Sequence, residues 1–131
     1  MIVIDASIAL AWLLADEKDP RAERALDALH DTSALAPGIW LYEVTNALLV
    51  AERRRRLHKT AREMLAVLGS LDVAVVEPRG FPVSEYELAV EHRLSVYDSA
   101  YLHLAIEHDA PLATLDANLA RAAKRRNRLF L

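Results

Sequence analysis

Met1-Ile2-Val3-Ile4-Asp5-Ala6-Ser7 opens the chain: three apolar residues of strand-forming type, a carboxylate, then two small residues. So short and apolar a run suits a strand buried on both faces, as the strands of parallel sheets are. In open parallel sheets, sites form beyond the carboxyl ends of the strands, which puts Asp5 on a candidate functional edge. Four further runs share this character: Ala34-Leu35-Ala36, Val73-Ala74-Val75-Val76, Leu112-Ala113-Thr114-Leu115 and Leu129-Phe130-Leu131. They alternate with segments of helical period, and the alternation predicts an α/β fold in which crossover helices join five parallel strands.

Helix punctuation agrees. Asp19-Pro20 supplies a cap and a first-turn proline for a helix reaching His30, and Pro37-Gly38 interrupts the chain before a long helix from about Trp40 to Arg54. A further helix is predicted over Lys59 to Leu68, ended by Gly69 and Ser70. Ser84 and Glu87 have capping-box spacing at the head of a helix to Arg93. Asp98 heads another down to His108, and the last runs from Ala117 to about Arg125.

With 131 residues, 53% hydrophobic and 27% charged, the chain is expected to form one globular domain over residues 1–131. It contains no cysteine, which excludes a disulfide framework and a thiolate zinc site and fits a reducing compartment. No basic leader precedes Asp5, and no uncharged run is long enough to span a bilayer, so a soluble cytoplasmic protein is expected. The net charge of -3 argues against nucleic-acid binding by global charge. Two local basic clusters remain candidate phosphate contacts, Arg53 to Arg56 with Lys59 and Arg62, and Arg121 with Lys124 to Arg126 and Arg128. Both also fit the solvated, cation-favouring ends of helices.

Four carboxylates stand alone in long uncharged stretches: Asp5, Glu43, Asp98 and Asp116. An unpaired carboxylate in apolar surroundings is costly to ionise, and a shared divalent cation would compensate all four. Asp5 and Asp116 each follow a strand, while Glu43 and Asp98 lie in the first turns of helices, so all four can reach one rim. Singly, Asp5, Asp98 and Asp116 are also good helix caps. Glu43 is not a cap; it sits among Leu41, Val44, Ala47 and Leu48. All-oxygen ligation suits Mg²⁺ or Mn²⁺, whose bound water is a nucleophile for phosphodiester hydrolysis.

Ile2-Val3-Ile4-Asp5-Ala6-Ser7, the helix Trp40 to Leu48 around Glu43, Tyr97-Asp98-Ser99-Ala100-Tyr101 and Leu115-Asp116 with Leu119 to Ala123 together resemble the PIN-domain family, in particular its VapC-type toxins of toxin–antitoxin pairs. The resemblance spans essentially the whole chain. It implies a three-layer α/β/α sandwich on a parallel five-stranded sheet and a Mg²⁺- or Mn²⁺-dependent endoribonuclease. Carried over by position, Asp5, Glu43, Asp98 and Asp116 form the acidic metal site, Ser7 is a neighbouring hydroxyl, and Asn46 and Thr114 occupy polar positions beside it. It further implies an RNA substrate, a homodimer, and a cognate antitoxin whose C-terminal segment covers the acidic groove. Members often carry an extra acid near the fourth position, where this chain has Asn118.

Competing chemistry finds less support. No glycine-rich phosphate loop, thiol or serine elbow is present, and His30, His58, His92 and His108 fall near predicted helix ends. His103 lies in an apolar helix and reads as a packed or surface histidine. Trp12 and Trp40 read as core or interface residues, whereas Tyr42, Tyr97 and Tyr101 are open to base stacking or packing. Alternatives to a toxin are a PIN-type RNA-processing or DNA nuclease without an antitoxin, and a catalytically silent acidic pocket binding a basic peptide.

Overall fold

The computed structural model describes residues 1–130. Four strands, β1 (Ile2–Ile4), β2 (Ala34–Pro37), β3 (Val73–Val76) and β4 (Leu112–Ala113), pair in parallel in the order β3-β2-β1-β4. Val3 aligns with Leu35 on one side and Leu112 on the other, so β1 lies inside the sheet and its three residues are buried. Seven helices accompany the sheet: α1 (Ala6–Leu13), α2 (Pro20–Ala28), α3 (Ile39–Arg53), α4 (Ala61–Gly69), α5 (Val83–His92), α6 (Val96–Glu107) and α7 (Ala117–Arg125). They pack in two groups, α1 against α2 and α3 with α4 on α3, and α6 between α5 and α7. The core between them includes Val3, Ile4, Leu48, Leu102 and Leu112, all fully buried. Among the described residues no helix is long and apolar enough to cross a membrane.

Among the described residues the sheet has four strands rather than the five expected. Leu129 meets Leu112 in one isolated parallel bridge. Asn127, at φ 54°, turns the chain into that contact, Leu112 N–H donates to Arg128 C=O and Phe130 N–H to Leu112 C=O, and Leu131 lies outside the described residues. β4 itself stops at Ala113, and two residues on the Leu115 N–H donates to the Ser7 hydroxyl rather than to a neighbouring strand. Nor is β3 buried on both faces: it is the edge strand, with Ala74 and Val75 exposed.

Local chemistry sets the helix ends. Asp19 Oδ1 accepts from Arg21 N–H with Pro20 in the first turn, as the sequence implied. Ser84 and Glu87 make no capping box, because α5 starts one residue earlier behind Pro82 and has no side-chain cap. Asp98 is not a cap either; Ser95, three residues before it, accepts from Asp98 N–H and starts α6 at Val96. Both tryptophans pack inside or against the core, and Trp12 Nε1–H donates to Ala22 C=O at 2.7 Å.

Candidate active site

The chain steps outward from β1 to β2 to β3 and then crosses back to place β4 on the other side of β1. At such a reversal the connections leaving neighbouring strands diverge, and the crevice between them is where parallel α/β sheets bind ligands. Asp5 leaves β1 on one side of that crevice and Asp116 follows β4 on the other.

Asp5 is 6% exposed and locked by three donors. Its Oδ1 accepts from Ser7 Oγ–H at 2.6 Å and from Ile8 N–H at 3.1 Å, and its Oδ2 accepts from the Thr114 hydroxyl. Each hydroxyl is in turn held by the turn after β4: Ser7 Oγ accepts from Leu115 N–H at 2.8 Å and Thr114 Oγ1 from Asp116 N–H at 3.0 Å. Two relays thus run from that turn through a hydroxyl to each carboxylate oxygen. An ionised carboxylate has about four acceptor positions, so one remains, on Oδ2. Burial pushes the Asp5 carboxyl above its ordinary value; the Ser7, Thr114 and Ile8 donors oppose that rise, and the Asp116 charge adds to it.

Asp98 stands in the first turn of α6, half-buried, and its carboxyl is also raised, first by burial and then by Asp116. Asp116 is exposed and caps α7, Oδ1 accepting from Leu119 N–H at 2.8 Å. Capping and site membership are therefore compatible for Asp5 and Asp116. Glu43, half-buried on α3, accepts at Oε1 from the Tyr101 hydroxyl at 2.5 Å. Burial, that bond and the charges of Glu43, Asp5 and Asp98 hold the Tyr101 phenol far above its usual range, so it is a donor at any physiological pH. Asp116 thus acts on both Asp5 and Asp98, and the Tyr101 phenol faces Glu43, Asp5 and Asp98.

The four carboxylates are not, however, gathered on one point. Among the described residues no three His, Cys, Asp or Glu side chains form a group placed to hold a metal ion. Asp5, Glu43 and Asp116 each have an oxygen committed to a protein donor. The donor chemistry nonetheless fits a small hard cation, since every donor is oxygen and Mg²⁺ keeps several waters while taking one or two carboxylates directly.

Of the other polar residues singled out from sequence, Ser7 and Thr114 form the two relays, while Asn46 is exposed a turn beyond Glu43 and joins none of these bonds. The sequence signal for Tyr101 is its place on the far side of Asp98 from Tyr97, one turn beyond it. Tyr42 and Tyr97, next to Glu43 and Asp98, are 77% and 63% exposed. His103 stands 3.2 Å from Glu85 and 3.4 Å from Glu107, outside the acid set. Of the basic clusters only Arg121 comes near the carboxylates, donating to Asn118 Oδ1 two residues after Asp116, among the described residues. Arg53 is ten residues beyond Glu43, roughly 15 Å of helix rise, and Arg56 is paired to Asp16 and Glu17 past the far end of α1. Arg126 reaches Glu91, and Arg128 is paired to Asp109 where the chain enters β4.

Comparison with known proteins matches residues 2–125 to the family described as PIN domain. Ribonuclease VapC3 of Pyrobaculum aerophilum is 34% identical over 122 residues, covering 91% of this chain and 92% of that protein. Among crystal structures, PAE2754 from Pyrobaculum aerophilum superposes with a TM-score of 0.71 at 24% identity, over 92% of this chain and 83% of its own. VapC20 of Mycobacterium tuberculosis, described as a Sarcin-Ricin loop cleaving toxin, gives 0.63 at 20% identity, over 93% and 95%. At those identities the two structures bear on the fold alone.

Proposed function

We propose that this chain, which belongs to the PIN-domain family and is of VapC type, hydrolyses RNA phosphodiester bonds at the acidic crevice between β1 and β4 with the help of Mg²⁺ or Mn²⁺. The observation that carries the reading is Asp5: a buried carboxylate, fixed by three donors at the point where the strand order reverses, with one acceptor position left and Asp116, which also acts on Asp98, as its charged neighbour. Asp5, Asp98, Asp116 and Glu43 would hold the cation. Bound there, a divalent ion supplies a more acidic water and offsets charge developing on the phosphoryl group. The Ser7 and Thr114 hydroxyls keep Asp5 from rotating, and the exposed Tyr97 offers a face on which an unpaired base can stack. Attack by water in line with the leaving oxygen leaves a 5′-phosphate and a 3′-hydroxyl.

Homology to Ribonuclease VapC3 supports the further reading of a toxin restrained by a cognate antitoxin whose C-terminal segment lies over the acidic groove, acting as a homodimer. The deciding experiment is cleavage of a mixed cellular RNA pool by purified protein with Mn²⁺ or Mg²⁺, against EDTA and D98N controls, with product ends mapped. Metal-dependent cutting that D98N loses, with 5′-phosphate products, is expected. Cutting that persists in EDTA, or 2′,3′-cyclic phosphate ends, would overturn the mechanism.

A further inference from the structure

We propose that Tyr101 is the positioning residue of the acidic site: its hydroxyl fixes Glu43 so that Oε1 is occupied and Oε2 is the oxygen presented to a cation or its bound water. This rests on the reading of Glu43 as a site carboxylate. Tyr101 is 1% exposed and heads the fully buried side chains by volume, so its ring is set by the core and not by the crevice. It lies on α6, whereas Glu43 lies on α3, and the bond between them joins the two helical groups across the sheet. Among the described residues Tyr101 is the one side chain hydrogen-bonded to Glu43. The contrast with Asp5 is instructive. A short aspartate directly after a strand is aimed by its own backbone and by Ser7, Ile8 and Thr114. A glutamate in the second turn of a helix has one more rotatable bond and, here, no local donor, so a distant rigid group must aim it. The phenol suits that work, because its hydroxyl donates from a buried ring and, being neutral, adds no charge to the crevice.

Partners of this kind, which hold a ligating group without touching the metal, alter metal affinity by about 10- to 100-fold when removed. The test is Mn²⁺ binding to the full chain, followed by calorimetry, for wild type, Y101F, E43Q and the double variant, with melting curves in EDTA alongside. Y101F keeps the buried ring, and Glu43 is half-buried, so water can replace the lost donor; the metal-free melting temperature should stay within a few degrees of wild type while Mn²⁺ affinity falls about 10-fold or more. In the E43Q background, adding Y101F should weaken binding no further. A purely structural tyrosine would instead lower stability and leave affinity unchanged. Wild-type affinity in Y101F, or losses that multiply in the double variant, overturns the role of Tyr101 while E43Q and D98N still report on the site itself. If E43Q binds Mn²⁺ as wild type does, the site reading of Glu43 fails first and this inference with it. Should Y101F prove unstable, E43D, which keeps the charge but withdraws the carboxylate from the hydroxyl, must show the same loss for the proposal to stand.

Discussion

Thr114→Val removes one oxygen and keeps the shape of a side chain that is 4% exposed. The lost hydroxyl donates to Asp5 Oδ2 and accepts from Asp116 N–H. A hydrogen bond to a charged group contributes about 1.5–3 kcal/mol net, and because Asp116 is exposed, water can replace the other half at little cost. A loss of about 2–3 kcal/mol follows, which for 131 residues at the usual entropy of unfolding is a fall of roughly 7–11 °C in Tm. The pH dependence carries a second signature. The Thr114 donor stabilises the ionised Asp5, whose carboxyl already lies above its ordinary value through burial, so the deficit should grow as pH rises and Asp5 ionises. Melting curves of wild type and T114V in EDTA, at pH 4 and pH 8, measure both. A shift under about 2 °C at pH 8, or one equal at the two pH values, would refute the claim that this hydroxyl holds a buried charge.

Asp98→Asn should stabilise the metal-free protein at neutral pH. With a folded pKa above its unfolded value, Asp98 lowers stability as pH rises through that interval and keeps it lowered above, so the gain at pH 7, at most about 1 kcal/mol for a half-exposed group, should vanish below about pH 4 in paired melting curves. Gly38→Ala should be tolerated or stabilise by up to about 1 kcal/mol in urea unfolding: φ is -53°, and the atoms a Cβ would meet are the carboxylate end of the exposed Glu77, which can swing aside. A loss above about 1 kcal/mol would mean that Glu77 is fixed there by something else. Leu48→Ala, emptying a fully buried position on α3, should cost about 2–5 kcal/mol by the same measurement, and a smaller loss would show the site collapsing around the gap.

Much of this arrangement was legible in the sequence because single residues carried two signals at once. Asp5 and Asp116 were marked as site candidates by isolation and by following strands, and the structure puts them on the two sides of the strand-order reversal. The misreadings arose where a neighbour competed. Ser95 pre-empted Asp98 as a cap, and Pro82 set the start of α5 before Ser84 had a role. The run Leu112 to Leu115 looks like one strand by apolarity, yet its second half serves the relays to Asp5. Which oxygen of which hydroxyl meets which carboxylate was out of reach, because Thr114 and Asp5 are 109 residues apart and no local pattern links them. Tyr101 was hidden for the opposite reason, since a buried tyrosine in an apolar helix is ordinary core composition.

That separation of 109 residues also sets a clock on synthesis. Growing at about 5–20 residues per second, a nascent chain extrudes Asp5 roughly 5–20 seconds before Thr114 exists, and through that interval neither hydroxyl relay can close. The parallel pairing of β1 with β4 is the same long-range event, and such pairings are slow to nucleate. A chain interrupted anywhere before Thr114 therefore carries Asp5 without the turn that locks it.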